Sequence, residues 1–221
     1  MKKVIVFILM GFMILSCRQE SKKQSDTQSN QNRILNSQDS IIIDCDYSFD
    51  EAIQGTKAPQ EIVAQLALID VLYYSMDNKL HKGQILCNKA IADDLKAVFE
   101  VIRKERFPVA KVIPVVKYNC DDELSMQANN SYSFCYRNIS YSKHATGMAM
   151  DINPMQNPLR WKPQYAHRKD KPENAVYNPE TPGTFYPDQA IVVKFKEHGF
   201  LWGRYFKRNF DDHHFEKKVL D

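Results

Sequence analysis

Apolar residues are spread unevenly along the 221-residue chain. Val4 to Leu15 is an apolar run of twelve. Residues 18–40 follow with Gln, Ser, Asn and Lys and almost nothing to bury. Such a stretch cannot offset its ordering entropy, so it reads as a flexible tether. Ile41-Ile42-Ile43 restores apolar density, and a folded domain is expected over 41–221. Within it, Pro59 to Ala67 predicts a helix, with Pro59 early and Glu61 in the first turn. Leu68 to Tyr74 and Gly83 to Cys87 predict two strands of a hairpin across Asp77-Asn78. Ile91, Leu95, Val98, Phe99 and Ile102 recur at helical spacing and predict a helix over Lys89–Lys104, with Pro108 just past it. Val112 to Tyr118 reads as a strand, at an edge or bulge because of Pro114. Asp121 to Asn130 is polar and reads as irregular.

The second half alternates differently. Met148, Met150 and Ile152 share one face of a predicted strand, and Ala149 and Asp151 share the other. Asn153-Pro154 ends it. Residues 155–188 hold six of the ten prolines and read as a long loop, a feature usually tied to function. Gln189 to His198 returns to a helical pattern, with Gly199 as its cap before Phe200-Leu201-Trp202-Gly203. The sum is an α+β domain: one small, mainly antiparallel sheet with flanking helices.

Lys2-Lys3 before the apolar run gives the N-terminus the form of an export signal, too short to span a bilayer comfortably. The run ends Ile14-Leu15-Ser16-Cys17, similar to the lipobox of bacterial lipoproteins. The expectation is a signal peptide over 1–16, acylation of Cys17, and a tether over 17–40. The protein would then be exported and lipid-anchored to a bacterial membrane, in the periplasm or at the cell surface. Without Lys2 and Lys3, the 30 basic side chains fall to 28 against 27 acidic ones. No basic stripe argues for nucleic acid, and a monomer is expected. Export would leave Cys45, Cys87, Cys120 and Cys135 in an oxidising compartment. They form either two disulfides, with three possible connectivities, or buried thiols.

Candidate chemistry is concentrated in two segments. One is Ser142-Lys143-His144-Ala145-Thr146-Gly147-Met148-Ala149-Met150-Asp151, and the other is Asp211-Asp212-His213-His214-Phe215-Glu216. They supply imidazoles, a carboxylate and a spare acid, the ligand set of a hydrolytic Zn2+ site with one position open for water. His144 lies seven residues before Asp151, so a straight strand would put them on opposite faces; Gly147 can supply the bend. A neighbouring carboxylate can accept the water's proton and pass it to a leaving amine, an effect of about 10²–10⁴. An arginine aimed at the developing oxyanion adds charge stabilisation. Amide hydrolysis is the reaction that uses these parts.

Several segments occur in order: Asn130-Ser-Tyr-Ser-Phe-Cys-Tyr-Arg137, then Ser142-x-His144-x-x-Gly147-x-Ala149-x-Asp151, then Asn153-Pro154 and Asn157-Pro158. Gly199-Phe200-x-Trp202-Gly203 and Asp211-x-x-His214-Phe215-Glu216 complete the set. In this order they resemble the M15 zinc peptidases, the D-alanyl-D-alanine carboxypeptidase-like and L-alanyl-D-glutamate endopeptidase-like hydrolases of peptidoglycan. The likeness is close over 115–221 and loose over 41–115. It implies a hedgehog/DD-peptidase-like fold with zinc in a cleft on the sheet. It also implies zinc held by His144, Asp151 and His214, with water completing the coordination. Asp211 falls at the general-base position, where many relatives carry Glu, and Arg137 at the oxyanion or substrate-gripping position. Ser142 would support the site by hydrogen bonding, and Trp202 would pack near the pocket or form its wall. The implied substrates are peptidoglycan stem peptides, cut either at a terminal D-Ala or between L-Ala and D-Glu, with the 155–188 loop shaping that choice.

Bland readings stand beside these. His213 is the rival ligand, though strand alternation would point it away from the site. Glu216 shares a face with His214 and is the rival base. Asp212 reads as a solvated or supporting acid, Arg137 as a possible surface ion pair, and Cys135 as a structural thiol. The competing function is a catalytically silent, zinc-containing module of the same fold that binds peptide or cell wall. Such a module has no need of a base at Asp211.

Overall fold

The computed structural model describes residues 40–139 and 141–217. The expected signal peptide, Cys17 and all of the tether but Ser40 lie outside the described residues. Among those described, no helix is long and apolar enough to cross a membrane.

The chain enters through β1 (Ile42–Ile43) and two single-turn helices, α1 (Phe49–Ala52) and α2 (Gln60–Val63). Ser48 and Glu51 close α1 with a reciprocal capping box. The helix expected from Pro59 to Ala67 stops after one turn. Leu66 and Ala67 instead begin β2 (Leu66–Tyr74), where they pair with Asn88 and Cys87 of β3 (Leu80–Asn88). Strand pairing overrides weak helical propensity there. The hairpin β2–β3 turns at Asn78, whose φ of +61° suits Asn. β1 adds to the other edge of β3 in parallel, giving the order β1-β3-β2.

As the central strand, β3 is buried along most of its length. Gly83 is the point of closest approach. A Cβ there would lie 2.3 Å from the Val112 carbonyl oxygen, which accepts a hydrogen bond from Gln84 N. Gly83→Ala is therefore expected to destabilise the protein by about 1–3 kcal/mol through overpacking. Thermal unfolding checks this; an unchanged Tm contradicts it.

The helix α3 (Ala92–Lys104) forms as its apolar spacing predicts, burying Leu95, Val98, Phe99 and Ile102. Asp93 and Asp94 in its first turn and Arg103 and Lys104 in its last complement its dipole. Two expectations fail after it. Val112–Tyr118 is no strand: Val112 makes one bridge to Ser131, and Val115–Tyr118 is a 3-10 helix entered at Pro114 and stopped by left-handed Asn119. Asp121–Asn130 is not irregular but carries α4 (Asp122–Gln127), because the Asp121 side chain caps Glu123 N and Leu124 N.

The second half builds two further sheets rather than adding to the first. β4 (Ala149–Asp151) is the expected strand. Within the 155–188 loop, Leu159–Trp161 forms β5. The helix α5 (Ala190–Glu197) ends before Gly199 at φ +74°. β6 (Phe200–Trp202), β7 (Asn209–Asp211) and β8 (His214–Lys217) follow. The strands pair antiparallel in the orders β4-β8-β6 and β5-β7. The class is α+β as expected, but with three small sheets instead of one.

One core joins these parts. Phe215 of β8 stacks on Phe195 of α5, with centroids 3.9 Å apart, and lies parallel to Trp202 at 5.8 Å. Met150 and Ile152 enter the same core beside Ile85, Leu95 and Phe99. That commitment turns the opposite face of β4, with Asp151, toward the site.

Candidate active site

His144 sits not on a strand but in the 3-10 helix Lys143–Thr146, which Gly147 ends at φ +69°. A Cβ on Gly147 would lie 2.7 Å from Asn88 N. Glycine therefore serves both the left-handed turn and the close approach. The turn carries the chain directly into β4, where Asp151 stands opposite His214 of β8.

The three side chains converge and are all buried. His144 Nε2 is 3.1 Å from Asp151 Oδ1 and 3.0 Å from His214 Nδ1; His214 Nδ1 is 2.9 Å from the same Asp151 oxygen. Ligand atoms of a tetrahedral zinc site, at bonds of about 2.0–2.1 Å, stand about 3.3 Å apart. The triangle is close to that size.

The remote nitrogens fix which atoms face inward. His144 Nδ1 lies 2.7 Å from Ser133 O, and a carbonyl only accepts, so Nδ1 carries the hydrogen. His214 Nε2 meets Glu216 Oε2 at 3.2 Å and donates to it. That leaves His144 Nε2 and His214 Nδ1 as the ring atoms turned toward Asp151 Oδ1. Outer partners of this kind are what orient histidine ligands toward a cation. The residues fit a zinc ion. Burial alone would push the Asp151 carboxyl up; His144 and His213 outweigh it and hold the group well below the usual carboxylate range.

The rivals separate. Glu216 is engaged behind His214, as the partner of its outer nitrogen. Asp211, at the end of β7, has a buried Oδ1 without a hydrogen-bond partner among the described residues. His213 Nε2 comes within 3.0 Å of that oxygen, but off the line of a hydrogen bond. Asp211 thus lines the cleft as a mostly buried carboxylate whose close charged neighbour is His213, and it is the acid placed to take a proton beside the ligands.

His213 corrects an expectation. It does not point away: Asp212 and His213 form a turn between β7 and β8, so strand alternation does not apply to them. Its ring is buried, with Nδ1 donating to Asn157 O at 2.7 Å and Nε2 3.6 Å from Asp151 Oδ2. Burial opposes protonation, but Asp211 and Asp151 outweigh it and raise the imidazole to about 9. His213 stands behind the cleft carboxylates and outside the ligand triangle.

Asp212 is not solvated. It is fully buried and receives Arg160 Nη2 and Arg204 Nη1, each at 2.6 Å. Trp202 does not wall the cleft. It lies in the core behind it and donates from Nε1 to Asp212 O at 2.9 Å, bracing the turn that carries His213 and His214. Arg137 lines the cleft, with Nη1 on Asp122 Oδ2 at 2.5 Å and Nε on Ser142 Oγ at 2.8 Å. Ser142 thus acts on the arginine rather than on the ligands. All four described cysteines are free thiols. Burial pushes Cys87 and Cys135 up to about 12, so they are inert packing groups.

Sequence reasoning did not anticipate Ser133, whose carbonyl orients His144, or Asp122, which holds Arg137. Neither carries a local signal, since both act through contacts distant in sequence.

Residues 137–217 match the model of an M15 peptidase family described as D-alanyl-D-alanine carboxypeptidase. The chain is also 29% identical over 111 residues to a Bacillus subtilis (strain 168) protein named "Putative carboxypeptidase YodJ". That alignment covers 48% of this chain and 38% of the relative. No solved structure matches the chain. Residues 137–217 are thus similar to M15 peptidases, and the chain spans about two fifths of the length of the curated relative it matches.

Adding zinc to the metal-free protein is expected to raise its Tm. At free zinc about a thousandfold above the dissociation constant, the stabilisation is about 4 kcal/mol, several degrees for a domain of this size. Differential scanning fluorimetry with and without chelator checks it. An identical Tm under both conditions contradicts a site in the folded state.

Proposed function

We propose that this protein is a zinc-dependent peptidase that hydrolyses an amide bond in peptidoglycan stem peptides. The bond is a terminal D-Ala linkage or the one between L-Ala and D-Glu. The observation that carries the reading is the convergence of His144 Nε2, Asp151 Oδ1 and His214 Nδ1 in a cleft that the Asp211 carboxylate also lines. The matched family description and the relative's name support a carboxypeptidase-like activity. The arrangement of the site suits a hedgehog/DD-peptidase-like peptidase fold.

Zinc, when bound, supplies a Lewis acid that polarises a carbonyl and brings a water's pKa toward neutrality. The chain's own groups do the rest. His144, Asp151 and His214 would hold the ion, with Ser133 O and Glu216 fixing the two rings. Asp211 Oδ1 takes the proton from the attacking water and returns it to the leaving amine. Arg137, held by Asp122 and Ser142, offers its guanidinium to the substrate's carbonyl oxygen or carboxylate. Export and acylation at Cys17 would place the domain beside its polymer, in the periplasm or at the cell surface.

Incubating the zinc-loaded protein with purified muropeptides and reading the products by mass spectrometry tests the proposal. Loss of one D-Ala marks the carboxypeptidase, and separation of L-Ala from D-Glu marks the endopeptidase. Tight zinc binding with every muropeptide intact would instead fit a silent binding module.

A further inference from the structure

Asp211, the acid beside the ligands, ends β7, and His214 begins β8. Only the turn Asp212–His213 separates them. How that turn is held therefore sets where the base stands relative to the metal ligand. Three consecutive residues form a shelf under it. Trp202 Nε1 donates to Asp212 O at 2.9 Å. A Cβ on Gly203 would lie 2.7 Å from Asp211 O and 3.2 Å from His214 Cβ, so no side chain fits between shelf and turn. Arg204 Nη1 donates to Asp212 Oδ1 at 2.6 Å.

The other Asp212 oxygen, Oδ2, accepts from Arg160 Nε at 3.1 Å and from Arg160 Nη2 at 2.6 Å. Asp212 is fully buried, and charged donors fill both of its oxygens. The two guanidiniums also lie 4.4 Å and 4.8 Å over the Tyr177 ring, whose hydroxyl donates to Phe185 O. The 155–188 loop is thereby packed against the same trio.

A buried ion trio is a poor route to stability, because desolvation offsets its attraction and apolar groups of like volume often serve as well. What it supplies is direction. A carboxylate gripped by a fork on one oxygen and a third charged donor on the other is held in one orientation. Neither arginine lines the cleft. Any effect they have on the reaction passes through Asp212.

We propose that Arg160 and Arg204 are positioning residues that act through Asp212 to fix the Asp211 carboxylate relative to His214. The inference rests on the peptidase reading above and adds the part of the chain that aligns base and ligand.

The test compares zinc-saturated wild type with Arg160→Gln and Arg204→Gln, each a single variant, on muropeptides below their unfolding temperatures. In both variants kcat should fall about 10–10²-fold, the scale of a misplacement of about 1 Å. KM should change little, because neither side chain reaches the substrate. Arg204→Lys keeps a charged donor to Asp212 and should recover part of the kcat. Should Arg204→Gln fail to fold, the lysine variant decides: a lowered kcat at constant KM supports the role, and a wild-type kcat overturns it. A lower Tm with kcat unchanged also overturns it, since the arginines then only hold the fold. Cobalt(II) in place of zinc gives a readout that needs no hydrolysis, because its visible absorption follows ligand geometry. Both glutamine variants should shift that absorption through His214. If wild type cuts no peptide but the variants shift the cobalt spectrum, the positioning role stands and the peptidase reading falls. If wild type cuts and the variants keep its kcat and its spectrum, the positioning role falls and the peptidase reading stands.

Discussion

Replacing His144, Asp151 or His214 by Ala is expected to remove zinc retention and peptide hydrolysis together. Three protein ligands leave no redundancy, and each donor lies within 3.1 Å of the other two. Structural and catalytic zinc sites derive their affinity from the full set. The ligand variants also leave the remaining two groups of a buried cluster facing one another without the cation. A lower Tm should therefore accompany the loss, most clearly for Asp151→Ala. There two buried imidazoles lose their only shared carboxylate, and breaking a buried charge cluster costs about 3–5 kcal/mol. Elemental analysis of the purified variants and a hydrolysis assay provide the check. A variant that keeps a full equivalent of zinc and its turnover is no ligand variant, and the triad would have to be redrawn.

The second large effect is Asp211→Asn. The amide keeps the shape of the side chain but cannot accept the water's proton, so zinc should stay while turnover falls by about 10²–10⁴. Glu216→Gln should behave differently. Its oxygen receives His214 Nε2–H, a contact the amide oxygen can still make. Zinc affinity should weaken, by up to about 10–100-fold if this outer partner is typical, while turnover of the zinc-saturated enzyme changes far less. The geometry separates two acids that lie five residues apart and could not be ranked from sequence with equal force. If Asp211→Asn remains active and Glu216→Gln is dead at saturating zinc, the roles are reversed.

Much of the site was legible because its elements are short and their patterns local. Alternation in Met148–Ile152 gave the correct core face, and hence the face of Asp151. The apolar spacing of Leu95, Val98, Phe99 and Ile102 gave α3. The bend at Gly147 was also readable, although its form, a left-handed residue closing a 3-10 turn against Asn88, was not. What failed was reasoning that extended one local pattern too far. Treating 212–216 as a continuous strand sent His213 to the wrong side, because the turn at Asp212–His213 resets the alternation. Asp212 could not be narrowed beyond a solvated or a supporting acid, because Arg160, 52 residues away, cannot be paired with it from sequence. The resemblance left Trp202 either packed near the pocket or forming its wall, and the stack with Phe215 draws it into the core behind the cleft. Val112–Tyr118 carried strand-like residues, but Pro114 and the left-handed Asn119 set a 3-10 turn. One small sheet became three because the three- and four-residue strands of the second half pair with one another rather than with the long β2–β3 hairpin.

The most direct test strips the protein of metal, titrates zinc back, and follows bound zinc and stem-peptide hydrolysis in the same samples. Hydrolysis should be absent without metal and rise with occupancy to a plateau at one ion per chain. Full activity in the metal-free protein, or no hydrolysis at any occupancy, would contradict a zinc peptidase built on His144, Asp151 and His214.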